Sequence, residues 1–155
     1  MPVDRPASVE PLRQATTRLD VTTRPRGLVD VTAAIDRWLA AIGAGEGLLT
    51  VFLRHTSASL TIQENASPEV PPDLVDALDR LAPRGSHWRH DIEGDDDMPA
   101  HVKTSLTGVS LAIPVIDGRM DLGTWQAVWV WEHRDAAHRR TATLHYLGAL
   151  TPDGS

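Results

Sequence analysis

Gly47 to Gln63 reads GLLTVFLRHTSASLTIQ. Two runs rich in Leu, Val, Ile and Thr, Gly47–Arg54 and Ala58–Gln63, flank the polar triplet His55-Thr56-Ser57. Each run is too short for a helix and has the composition of a strand. The stretch therefore predicts two strands, or one strand bent at the triplet. A histidine at such a junction sits where a rigid scaffold can present it to a cleft, the competing reading being a hydrogen-bonded turn residue.

Working outward, Arg13–Thr22 alternates Ala15, Thr17, Leu19 and Val21 with polar residues, the period of a half-buried strand. Leu28–Ile42 places Val31, Ile35, Trp38, Leu39 and Ile42 at helical spacing, with Asp30 or Thr32 as N-cap and Gly43 as the stop. A second helix is expected after Ser67-Pro68, striped by Leu74, Val75, Leu78 and Leu81, and a short third one at Pro99–Leu106 before Gly108. Further strands are expected at Ser110–Val115, Met120–Leu122, Ala127–Glu132 and Thr141–Leu150. Strands outnumber helices and do not alternate with them, which predicts an α+β domain with antiparallel or mixed sheets.

The 155 residues make one domain, expected over 13–150 behind a loose arm at 1–12. A formal net charge of −6 is the wrong sign for condensing on nucleic acid or anionic lipid. With no cysteine, any metal must use His, carboxylate, carbonyl or water. No apolar run reaches the ~18 residues that span a bilayer, and Met1–Leu12 lacks the apolar stretch of a signal peptide, so cytoplasm is the expected location.

His87 to His101, HWRHDIEGDDDMPAH, packs three imidazoles and five carboxylates into fifteen residues. Such carboxylates repel one another unless cations, a metal or a helix dipole offset them; a solvated acidic loop is the alternative. Asp97, His101 and Ser105 share a helix face, so a carboxylate can stand behind an imidazole and fix its tautomer, or can simply cap the helix. An EF-hand is excluded, since Asp96 stands where glycine is needed and Val102 where Glu is. Gly118–Thr124 has phosphate-loop glycine spacing but no lysine and reads as two turns. Trp125, Trp129 and Trp131 fall on one face of a strand, as core or as a subunit interface, with Glu132-His133-Arg134 at its end.

Together these pieces resemble the YjbQ-like family, also called the secondary thiamine-phosphate synthase family. The likeness is carried by His55-Thr56-Ser57-Ala58-Ser59-Leu60-Thr61, Glu64-Asn65, His90-Asp91-x-Glu93-Gly94-x-Asp96-Asp97-Met98-Pro99-x-His101, Gly108-x-Ser110, Gly123-Thr124-Trp125-Gln126 and Glu132-His133-Arg134. Gln63, Ser67 and the Pro71-Pro72 pair depart from the family's usual residues. The resemblance implies the YjbQ-like fold, with a sandwich-like core and about three helices, a homotrimer, and a divalent metal held by His55, His90 and His101. Zinc suits such a donor set better than Mg²⁺ or Mn²⁺.

The activity it implies couples an aminopyrimidine diphosphate to a thiazole phosphate, with Glu64, Asn65, Glu93 and Arg134 as the candidate catalytic residues and Arg134 or Arg139 helping to offset phosphate charge. The alternatives are a metal-dependent hydrolase with Glu64 or Glu93 as general base, and a non-catalytic trimer that binds a metal or small ligand.

Overall fold

The computed structural model describes residues 11–85 and 88–151. Its elements run β1 (Arg13–Thr22), β2 (Leu28–Asp30), α1 (Thr32–Ala41), β3 (Ala44–Leu53), β4 (Ala58–Glu64), α2 (Val70–Leu81), α3 (Asp97–Thr107), β5 (Ser110–Ile116), β6 (Arg119–Met120), β7 (Gln126–Glu132) and β8 (Arg139–Leu150). The α+β class, the three helices and nearly every strand stand as expected, and all strand pairings are antiparallel. Of the expected N-terminal arm, only Pro11 and Leu12 lie within the described residues.

Two sheets form, ordered β1-β8-β3-β5-β6 and β2-β7-β4. Period-two alternation decides which side of each strand is buried. Leu49, Val51 and Leu53 of β3, Ile113 and Val115 of β5, and Ala142, Leu144 and Tyr146 of β8 point inward. They meet Leu60 of β4, Val128 and Val130 of β7, and Ile35 and Leu39 of α1. Tyr146 needs Gly47 and Gly148 beside it, because a Cβ at either would fall within 2.7 Å of its side chain.

Two readings change. Leu28–Asp30, expected as the first turn of a helix, instead pairs with Trp129–Trp131 of β7, and Asp30 Oδ1 accepts from Thr32 N where the helix starts. Pairing with an open strand edge outweighs local helical periodicity there. β3 and β4 are two strands rather than one bent strand, and they belong to different sheets. His55-Thr56-Ser57 is thus the point where the chain crosses between layers. Trp131 is buried within the chain, where it shares a narrow gap with Val75 and Leu78 of α2, whereas Trp125 lies outside β7 and is exposed.

One buried ion pair ties the layers together beside that crossing. Arg140 of β8 donates from Nε to Glu132 Oε2 at 2.7 Å and from Nη2 to Oε1, with both side chains almost fully buried. Thr23 Oγ1 and Arg134 N donate to the same carboxylate, and Arg140 Nη2 also reaches Ser57 Oγ at 3.1 Å. Burial disfavours the charged form of Glu132, but the bonds from Arg140, Arg134 N and Thr23 prevail and hold its pKa below the ordinary value. No described helix is long and apolar enough to cross a membrane.

Removing one partner leaves a buried charge alone. Arg140→Met is expected to cost about 3–5 kcal/mol in urea unfolding, and the double variant Glu132→Leu/Arg140→Met much less.

Candidate metal centre

Arg134 organises the acidic stretch. Its Nε donates to Asp96 Oδ2 at 2.9 Å, Nη1 to Asp97 Oδ1 at 2.7 Å, and Nη2 to the Glu93 carbonyl at 2.8 Å. Asp135 N adds a bond to Asp96 Oδ2, and Arg84 pairs with Asp95 and Asp135. The carboxylates that looked mutually repulsive in sequence are therefore offset by two arginines from outside the run. Arg134 is engaged on three sides, so its guanidinium fixes the loop rather than lying open to a substrate anion.

What the loop and α3 converge on is the second oxygen of Asp97. Asp97 is 2% exposed, and its Oδ2 lies 3.0 Å from His90 Nε2 and 3.2 Å from His101 Nε2. Neither imidazole is aligned to donate to it, and Oδ2 has no hydrogen-bond partner among the described residues. A buried carboxylate oxygen rarely stands unpartnered. His101 Nδ1 is 2.9 Å from the Thr56 carbonyl, which can only accept, so Nδ1 carries the proton and Nε2 presents its lone pair. A backbone carbonyl that fixes the tautomer is the usual support for a metal-ligating histidine. His90, Asp97 and His101 are one group whose ligand atoms all lie within 4.8 Å of one another. The two histidines remain partly open to solvent.

His55 stands apart from this group. Its Nε2 accepts from Thr141 N at 2.8 Å, which uses the lone pair a metal would need. Burial, then the neighbouring Arg140, lowers its pKa. It faces His101 across a surface hollow of about 450 Å³ that Thr104 and Ser105 also line. Asp97, expected behind the imidazole, takes the place expected for His55, and Thr56 supplies the supporting bond. Glu64 and Asn65 lie at the far end of β4, about 20 Å along the strand from Ala58. There Glu64 pairs with Gln126, and Asn65 N donates to the Trp125 carbonyl. The Glu93 side chain is exposed.

Sequence reading did not single out the buried pair Ser59–His133. Ser59 Oγ lies 2.8 Å from His133 Nε2, and both residues are shielded from solvent. The available signal was the position of Ser59 on β4 and of His133 just past the end of β7, two places after Trp131.

The model of the family described as UPF0047 protein YjbQ-like matches residues 17–149. The chain belongs to that family. This YjbQ-like protein is 44% identical to the UPF0047 protein sll1880 of Synechocystis sp. over 145 residues, 93% of this chain and 99% of that protein. It is likewise 44% identical to UPF0047 protein YjbQ of Salmonella typhimurium over 117 residues, 75% of this chain and 85% of the other. Among solved structures, the hypothetical protein APE1520 of Aeropyrum pernix superposes with a TM-score of 0.80 at 35% identity, covering 87% of this chain and 99% of that one. The conserved hypothetical protein TT1486 of Thermus thermophilus gives 0.73 at 38%, covering 83% and 97%. The YjbQ-like fold is thereby shown.

His133 makes the YjbQ-like domain acid-sensitive. Burial, then Lys103, lowers its pKa to about 3, below the ~6.5 of an unfolded histidine. Its contribution is present above about pH 6.5 and is lost as pH falls toward 3, because the unfolded chain then binds a proton that the native state refuses. The melting temperature is expected to decline from pH 7 to 4, and His133→Gln, which can still accept from Ser59, is expected to flatten part of that decline.

Proposed function

We propose that this YjbQ-like protein is a metal-dependent enzyme acting on phosphorylated small molecules, of the secondary thiamine-phosphate synthase kind. The reaction joins an aminopyrimidine diphosphate to a thiazole phosphate, forming the bond to the thiazole nitrogen as diphosphate leaves. The observation that carries the reading is the convergence of His90 Nε2 and His101 Nε2 on the unpartnered Asp97 Oδ2. Two imidazoles and one carboxylate suit zinc first and Mn²⁺ or Mg²⁺ less well, and three protein ligands leave a position open. When bound, a divalent ion there supplies positive charge to a departing diphosphate.

The chain's own groups prepare that site. The Thr56 carbonyl orients His101, and Arg134, bonded to Asp97 Oδ1, keeps Oδ2 turned toward the imidazoles. Glu93 contributes through its carbonyl, which anchors the loop on Arg134.

A homotrimer remains part of the proposal. The outer face of the five-stranded sheet exposes Leu48, Phe52 and Leu147, which supports burial against another copy. Glu64 and Asn65 keep a role in the chemistry only if a neighbouring copy carries them to the cluster. Light scattering should give three chain masses at micromolar concentration.

His101→Ala and Asp97→Asn should fold normally and lose bound zinc by elemental analysis, whereas His55→Gln should retain it. Zinc affinity by calorimetry should fall as the pH is lowered from 7.5 to 5.5, since an imidazole binds metal only without its proton. Coupling of the two precursors should vanish on chelation and return with zinc. Unchanged metal content in Asp97→Asn removes the site, and a zinc-loaded protein without coupling removes the activity.

A further inference from the structure

A second cleft lies around α3 from the cluster. Lys103 follows His101 by two positions, about 200° around the helix, and so faces the other way. It lines a cavity of about 240 Å³ with Arg26, Asp79, Arg84, His133 and Asp135.

The charged groups lining this cleft are Arg26, Arg84 and Lys103 against Asp79, Asp96 and Asp135, and Asp96 is already taken up by Arg134 and Asp135 N. Lys103 is 6% exposed, and its ammonium bonds Asp79 Oδ1, while Arg26 pairs with Asp79 Oδ2. One carboxylate thus serves two cations, whereas Arg84 has Asp135 of its own. Arg26 Nε is buried with no hydrogen-bond partner among the described residues. Its backbone is held at φ 50°, in the left-handed region, with Arg26 N donating to the Arg134 carbonyl.

His133 supplies another donor. The Ser59 hydroxyl is fully buried, and His133 Nε2 is its one hydrogen-bond partner among the described residues. A buried O–H must be given to an acceptor, so Nε2 accepts and the ring proton sits on Nδ1. Nδ1 has no partner among the described residues. The low pKa of His133 agrees with a neutral ring.

We propose that this cleft is an oxyanion subsite, which takes the phosphate of a small-molecule ligand against Lys103, Arg26 and His133 Nδ1–H, with Asp79 as the internal carboxylate that the anion displaces. The subsite stands independently of the metal reading. Asp96 also lines the cleft, and its neighbour Asp97 belongs to the cluster, so a ligand held here by its phosphate lies one residue away from the metal ligands along the chain.

The test uses the full chain treated with chelator, so that metal plays no part, and inorganic phosphate as the probe. Calorimetry and phosphorus NMR line-broadening should show saturable binding in the millimolar range, with a matching rise in melting temperature. Asp79→Asn removes the internal competitor and should bind phosphate about tenfold more tightly, with phosphate restoring stability that the variant loses. Lys103→Met should lose at least about tenfold in affinity, and Arg26→Gln replaces it as the test if circular dichroism shows Lys103→Met unfolded. Absence of saturable binding in both wild type and Asp79→Asn overturns the proposal. So does equal binding in wild type and the cation variants, which means an adventitious ion only. Phosphate binding without any precursor coupling would leave this subsite standing and remove the proposed activity alone.

Discussion

The buried Glu132–Arg140 pair is the constraint on which the working end of the molecule depends. Two charges taken out of water are tolerated only with good geometry and further hydrogen bonds, and here Thr23, Ser57 and Arg134 N add theirs to the pair's own. Because Glu132 ends β7 of one sheet and Arg140 is the second residue of β8 of the other, the pair fixes how the layers meet. Ser57 is held by the same arginine. The crossing His55-Thr56-Ser57 is therefore positioned by an ion pair that includes none of its own charges.

From that anchor the end of β7 and the two residues after it take up three tasks in three consecutive positions. Glu132 turns inward between the sheets, His133 turns to the opposite face beside Trp131 and meets Ser59, and Arg134 reaches the acidic loop. Arg134 N also donates to Glu132, so the loop of carboxylates and the interior ion pair share one rigid segment. Displacing Glu132 would loosen the cluster at Asp97 through Arg134, with no change in any ligand.

Charge that looks excessive in sequence is thus sorted by the fold. Arg134 and Arg84 take up Asp95, Asp96 and one oxygen of Asp97. Burial resists the charge on Asp96, but bonds from Arg134 and Asp135 N prevail and keep its pKa below the usual range. The remaining oxygen of Asp97 is left to the two imidazoles. On the other side of α3, Asp79 is shared between Arg26 and Lys103, leaving donors in surplus. One helix separates a site poor in donors from a cleft rich in them.

The strands, the helices and the α+β class were legible in the sequence because periodicity is local: Arg13–Thr22 alternates at two and the α1 stripe repeats at helical spacing regardless of what packs on them. The pairing of Asp97 with His101 was legible for the same reason, being one turn of helix apart. Tertiary structure alone decided the rest. It sent Leu28–Asp30 to the edge of β7, gave the His55 lone pair to Thr141 N, brought His90 to Asp97 and drew Arg134 into the loop. Each of those outcomes depends on which distant group reaches a side chain first. That is fixed by the crossing of two sheets and not by the spacing of residues along the chain.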